Sequence, residues 1–141
     1  MQRTFQAPAG AVFDAWTSEE VIRRWWQAGH GWETVEAEVD LRVGGVVRVV
    51  MRDPGKDVEY GGGGNYTEIE PPARLAFTWI WDGDTRGTLI ELDFQEIDGV
   101  TTVSFTHSGL WDEEAVRSHE DGWSKIFANL EHTLASGQAS A

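Results

Sequence analysis

Residues 101–134 read TTVSFTHSGLWDEEAVRSHEDGWSKIFANLEHTL, and the periodicity changes within this stretch. Over residues 101–107 the apolar side chains alternate with polar ones, which is typical of one face of a strand. The later apolar residues recur every three or four positions, which is the spacing of one face of an α-helix. The stretch therefore predicts a strand followed by a long helix, with Trp123, Phe127 and Leu130 facing a sheet. The full helical face consists of Val116, His119, Trp123, Phe127, Leu130 and Leu134.

The same alternation extends backwards to residue 33, with turn residues between the alternating segments, which predicts an antiparallel sheet of about six strands. The third strand lies within residues 58–70, contains four consecutive glycines and ends at Pro71-Pro72, because proline cannot continue a central ladder. Asp98-Gly99 predicts a tight hairpin before the last strand. The other inward faces are Val35, Ala37 and Val39; Val47, Val49 and Met51; Leu75, Phe77, Trp79 and Trp81; Ile90, Leu92 and Phe94; and Thr101, Val103, Phe105 and His107.

Two short helices are expected before the sheet. Residues 9–16 follow a proline, which is favoured in the first turn of a helix. Thr17 with Glu20 three positions later has the form of a capping box, which predicts the start of a second helix. The apolar face of this second helix consists of Val21, Ile22, Trp25 and Trp26.

The order of these elements predicts an α+β fold in which a curved antiparallel sheet buries its apolar face against the terminal helix. The length of 141 residues is close to the commonest size of one domain. We expect residues 1–136 to form that domain. Residues 137–141 are small and polar, and we expect them to be a disordered tail.

Charge and composition exclude several classes of partner. The formal net charge of −13 repels phosphate backbones, so we expect no binding to nucleic acid. No segment approaches the roughly 20 apolar residues that cross a bilayer, so we expect no membrane insertion. The chain has no cysteine and does not begin like a secretory signal, and we therefore expect a cytoplasmic protein.

Four groups of residues occur in an order that resembles one known family. They are WW at 25–26, DLRVGG at 40–45, GNYTEIEPPARL at 64–75, and THSGL at 106–110 followed by HEDGW at 119–123. Each group alone is weak, but the ordered set resembles the START-like superfamily. Within that superfamily it is most similar to the heat-shock protein 90 ATPase activator homologue family.

The resemblance implies a helix-grip fold, in which a curved antiparallel sheet of six or seven strands wraps round a long C-terminal helix, with two short helices near the N-terminus. It also implies a hydrophobic cavity between the sheet and that helix. Relatives include lipid carriers, aromatic polyketide cyclases and ligand-responsive proteins. The family is named after a co-chaperone, so the resemblance also makes a chaperone a candidate partner.

Large aromatic side chains are the main candidates for a ligand-binding site. The chain has eight tryptophans, and a ligand pocket needs apolar walls with a few polar groups, although core packing alone would also bury several aromatic rings. His107 shares a strand face with Phe105, so it could bind a ligand, move a proton or be a neutral core histidine. His119 lies one turn before Trp123 and could meet His107 across the cavity. The candidate ligand-binding residues are Trp25, Trp79, Trp81, Phe105, His107, Trp111, His119, Trp123 and Phe127.

Motifs for metal, phosphate or nucleophilic chemistry are missing from the sequence. Two histidines without a His-x-x-x-His spacing are too few for a metal site, and we predict no cofactor. The glycines at 61–64 are not followed by Lys-Ser or Lys-Thr, so we interpret them as a strand start or bulge rather than a phosphate loop. No Gly-x-Ser-x-Gly elbow occurs, and we assign no catalytic residue.

Three functions remain open from the sequence. The leading hypothesis is a non-catalytic protein that holds a small apolar or aromatic ligand in the cavity. The second is an enzyme of the cyclase or hydrolase type, in which His107 or a carboxylate acts as acid or base. The third is a chaperone-associated module that binds a partner through its surface. The sequence also leaves open whether the protein forms a homodimer.

Overall fold

The computed structural model describes residues 1–136, and the predicted tail at 137–141 lies outside the described residues. The described chain has one seven-stranded antiparallel sheet, curled into a half-barrel, with the order β1-β7-β6-β5-β4-β3-β2. This is the predicted helix-grip fold. The elements are β1 Gln2–Phe5, α1 Ala9–Thr17, α2 Glu19–Trp25, β2 Glu33–Val39, β3 Val46–Asp53, β4 Val58–Glu70, β5 Arg74–Trp81, β6 Thr88–Ile97, β7 Val100–Ser108 and α3 Glu113–Ala135.

Strands β2 to β7 form a meander, in which each strand pairs with the next along the chain. Asp98 and Gly99 both have positive φ, of 52° and 79°, as a two-residue hairpin turn between β6 and β7 requires. The short β1 pairs with β7 at the far edge, with Gln2 opposite Ser104. Together these pairings give seven strands, the upper of the two expected numbers.

The core lies between the concave face of the sheet and α3. Trp123, Phe127 and Leu130 are buried, which confirms that they face the sheet. The Phe105 ring on β7 lies 4.6 Å from the Trp123 ring and 5.3 Å from the Phe127 ring. Val116, in contrast, is exposed, because in the first turn of α3 the buried side chain is that of the neighbouring Ala115.

The two N-terminal helices cover one end of this core. The Phe13 ring on α1 lies 5.6 Å from the Phe94 ring on β6. Trp26, directly after α2, lies 5.4 Å from Trp123 of α3. The aromatic residues of α1 and α2 therefore extend the core of the sheet and help to enclose its concave face.

The start of α2 differs from the capping box predicted at Thr17. The cap is Ser18, whose hydroxyl accepts a hydrogen bond from the Val21 backbone N–H at 3.4 Å. Thr17 is instead the last residue of α1, and its hydroxyl donates to the Phe13 carbonyl at 3.1 Å. Both residues can cap a helix, and the junction between α1 and α2 lies one residue later than the sequence pattern suggested.

Two details of the sheet also differ from the predicted pattern. Val35 is exposed, because the register of β2 shifts between Thr34 and Glu36 and turns its side chain away from the core. The glycines at 61–64 form neither a bulge nor a strand start. They lie inside β4 in unbroken register with β3, and the irregularity of β4 comes later, between Tyr66 and Glu68.

Candidate ligand-binding cavity

A cavity of about 420 Å³ lies between the concave face of the sheet and α3, and it is open at one end. Its floor is buried and its mouth is formed by more exposed residues, including Trp32 and Ser118. Six aromatic residues line it. They are Trp26, Trp32, Tyr60, Trp79, Trp81 and Trp123.

The aromatic rings of the wall hold each other at fixed angles. Trp26 and Trp79 stack with ring centroids 5.5 Å apart, and Trp81 stands edge-on to Trp79 at 5.3 Å. At the mouth, Trp32 and Tyr60 stack at 5.1 Å with an interplanar angle of 11°. Offset stacks and edge-to-face pairs are favourable ring arrangements, so the wall is preorganised before a ligand arrives.

Gly62 of β4 makes room for the Trp79 side chain. A Cβ atom at position 62 would lie 2.6 Å from the Trp79 ring, closer than Cβ atoms approach other atoms in proteins. The glycine therefore lets the indole lie directly against the backbone of the neighbouring strand. This close approach keeps the ring at the edge of the cavity rather than inside it.

His107 forms a hydrogen-bonded chain behind this wall. The Trp123 indole N–H donates to His107 Nδ1 at 3.1 Å, and the Thr88 hydroxyl donates to the Trp79 carbonyl at 2.7 Å. Because the Thr88 hydroxyl uses its hydrogen in that bond, its oxygen accepts a hydrogen bond from the His107 Nε2–H, with the two atoms 2.8 Å apart. His107 is therefore neutral with its proton on Nε2, and burial together with the charge of His119 lowers its pKa to about 4.

His119 on α3 forms the matching contact with Trp81. The Trp81 indole N–H donates to His119 Nε2 at 3.0 Å, and His119 Nδ1 donates to the Ala115 carbonyl at 2.7 Å. The His107 and His119 rings lie 5.1 Å apart. The two histidines therefore lie next to each other, and each holds the indole of a tryptophan in the cavity wall.

The described part of the chain shows no group of three or more metal-ligating side chains that could hold an ion. The same residues include no helix with the length and hydrophobicity needed to cross a membrane.

Residues 6–135 match the family model described as activator of Hsp90 ATPase homolog 1-like protein. The chain belongs to this family. The family lies within the START-like superfamily, as the motifs suggested. No curated protein matches the chain in sequence.

Solved structures of similar proteins support the same fold. The AHSA1 protein of Silicibacter pomeroyi is 28% identical with a TM-score of 0.82, over 97% of this chain and 96% of that one. A protein of Chromobacterium violaceum is 21% identical with a TM-score of 0.84, over 94% and 93%. DynU16, a protein in the dynemicin biosynthetic locus, is 20% identical with a TM-score of 0.76, over 97% of this chain and 46% of that one. For the last two proteins, which are 21% and 20% identical to this chain, the similarity concerns the fold alone.

The cavity of this AHSA1-like chain contains some of the candidate residues and leaves others outside. Trp79, Trp81, His119 and Trp123 line it. The remaining five do not. Trp25, Phe105 and Phe127 are buried in the core, and Trp111 is partly exposed with the Arg86 guanidinium 3.6 Å from its ring. His107 lies behind Trp123, where it lines a second cavity of about 200 Å³ together with Phe105, His119 and Trp123.

Nine of the thirteen lining residues were absent from the candidates chosen on the sequence, and five of these nine show why. Trp26 belongs to the predicted apolar face of α2, and Met51 to that of β3, so both had a signal of burial. Trp32 lies in a loop and Lys56 in a turn, where periodicity carries no information. Tyr60 lies in β4 directly opposite Met51, a register that places both at the same end of the cavity.

Proposed function

We propose that this protein binds a small apolar, aromatic molecule in the cavity between the sheet and α3, without catalysing a reaction. The observation that carries the proposal is the wall of five tryptophans and Tyr60 around an open space of about 420 Å³. Ligand pockets commonly measure about 300–1,000 Å³ and are mostly apolar and aromatic. Flat rings at fixed angles favour a flat ligand that can stack between them.

The affinity expected from such a wall is moderate. An aromatic ligand that buries about 250 Å² of apolar surface gains about 6 kcal/mol at about 25 cal/mol per Å². That free energy alone corresponds to a Kd of about 40 µM, and the loss of the ligand's translational and rotational freedom weakens binding from this value. A neutral two-ring compound should therefore bind in the micromolar range.

The hydrogen bonds of the two histidines favour binding over catalysis. All four ring nitrogens of His107 and His119 are engaged with protein groups. A general acid or base has to reach the proton that it transfers, and it works best with a pKa near the working pH. His107 meets neither condition, because Trp123 separates it from the cavity and its pKa is lowered to about 4.

Titration with N-phenyl-1-naphthylamine, a neutral fluorophore, tests the proposal. We expect micromolar binding by the wild type and at least tenfold weaker binding by Gly122→Leu. A Cβ at position 122 already meets the Cβ of Ala28 at 3.4 Å, and both residues line the cavity, so a leucine side chain must enter it. Leucine is also a better helix former than glycine, so α3 should stay intact.

Ala128→Leu is the matched control, because it adds a leucine to an exposed position of α3 outside the cavity. This variant should bind the fluorophore like the wild type. Equal affinity of Gly122→Leu and the wild type, or no binding by the wild type, would refute the proposal.

A further inference from the structure

We propose that the cavity selects aromatic molecules that carry a carboxylate, and that Lys56 binds this group. The inference rests on the proposed function, because it assumes that an aromatic ligand occupies the cavity. It adds the chemical class of that ligand. The argument depends on the charges around the cavity mouth.

Lys56 is the only lysine or arginine among the thirteen residues that line the cavity, all of which belong to the described chain. It lies in the turn between β3 and β4, after Asp53, and its backbone N–H donates to the Asp53 carbonyl. This turn stands beside Tyr60, which forms part of the aromatic mouth. Lys56 therefore lines the same cavity as the rings on which a flat ligand would stack.

The ammonium group of Lys56 has no anionic partner among residues 1–136. The neighbouring Arg52 takes the nearby carboxylates, with Asp57 at 2.6 Å and Glu33 at 3.9 Å. The chain's other lysine, Lys125, pairs with Asp121 at 3.0 Å. Lys56 is thus a cation at a cavity mouth without a protein group to neutralise it.

None of the described residues that line the cavity carries a carboxylate, although the chain has 24 aspartates and glutamates. An acidic residue in the wall would repel an anionic ligand and would pair with Lys56. In a chain of net charge −13, Lys56 is therefore the one acidic or basic side chain, histidine aside, among the described residues that line the cavity. A carboxylate on the ligand can accept a charge-assisted hydrogen bond there, which is stronger than a hydrogen bond between neutral groups.

Two probes of the same shape separate the charge from the aromatic contact. 2-Naphthoate carries a carboxylate and 2-naphthamide is its neutral counterpart, and binding of each is followed by the change in tryptophan fluorescence. We expect the wild type to bind 2-naphthoate about 5–10-fold more tightly at low salt. Raising the salt concentration should reduce this preference, because the mouth is open to solvent.

The matched variants are Lys56→Gln and Lys125→Gln, since each removes one positive charge from the same chain. Lys56→Gln should abolish the preference for 2-naphthoate while its Kd for 2-naphthamide stays unchanged. Lys125→Gln should keep the preference, and Lys56→Arg should also keep it because the positive charge remains.

The outcomes distinguish this inference from the proposed function. If 2-naphthamide binds and 2-naphthoate binds no better, or if Lys56→Gln and Lys125→Gln behave alike, the role of Lys56 is refuted and the aromatic cavity stands. If neither probe binds, the proposed function fails, and this inference fails with it.

Discussion

Protonation of His107 is expected to destabilise the folded protein as the pH falls. In the folded state His107 Nδ1 accepts the indole N–H of Trp123, so a proton added there would face another proton donor. In the unfolded chain the imidazole is surrounded by water and titrates with an ordinary pKa of about 6.5. Burial and the charge of His119 lower the pKa in the folded state to about 4.

The sign and size of the effect follow from these two pKa values. As the pH falls, the unfolded chain takes up the proton first. The contribution of neutral His107 to the free energy of unfolding is therefore fully present above a pH of about 6.5 and is lost as the pH falls toward 4. Between a pH of about 7.5 and about 5.0, linkage gives a loss of about 2 kcal/mol from this one group.

Urea denaturation followed by tryptophan fluorescence measures this loss for the wild type and for His107→Asn. The variant keeps a polar side chain but cannot titrate, and all the other acidic and basic groups are common to both proteins. The wild type should therefore lose about 2 kcal/mol more than His107→Asn over this pH range. Parallel losses in the two proteins would refute the hydrogen-bonded, neutral His107.

Three further predictions concern packing and charge. Trp123→Ala should lower the free energy of unfolding by about 3–5 kcal/mol in urea, because the ring is buried against Phe105 and Phe127, and a loss below about 1 kcal/mol would contradict that packing. Gly62→Ala should cost about 1–3 kcal/mol and weaken N-phenyl-1-naphthylamine binding, because the added methyl group displaces Trp79 into the cavity; unchanged binding would show that the ring does not move. In a gel-shift assay at about 150 mM salt the protein should leave duplex DNA unbound, whereas micromolar affinity would reveal a local basic surface that outweighs the net charge of −13.

The fold could be predicted from the sequence because burial of one face imposes a period on the chain. The alternation through Leu75, Phe77 and Trp79 and the helical spacing of Trp123 and Phe127 each reflect one buried face, and all five are buried. Local exceptions could not be predicted in this way. The exposed Val35 depends on a register shift between two strands, which is a property of the pairing rather than of either strand.

The cavity was harder to predict than the fold, because a cavity wall joins residues from unrelated segments. Trp25 and Trp26 are adjacent in sequence, but Trp25 ends α2 whereas Trp26 leaves the helical conformation, with ψ of 74°. Only Trp26 lines the cavity. The stack of Trp32 on Tyr60 joins a loop to a distant strand, and no local pattern indicates that contact.

The most direct test of the cavity uses the indole N–H signals of the eight tryptophans in a ¹H–¹⁵N spectrum, assigned by single Trp→Phe substitutions. Titration with N-phenyl-1-naphthylamine should shift mainly the signals of the five tryptophans that line the cavity. They are Trp26, Trp32, Trp79, Trp81 and Trp123. Larger shifts at Trp16, Trp25 and Trp111, or no shifts at all, would contradict binding between the sheet and α3.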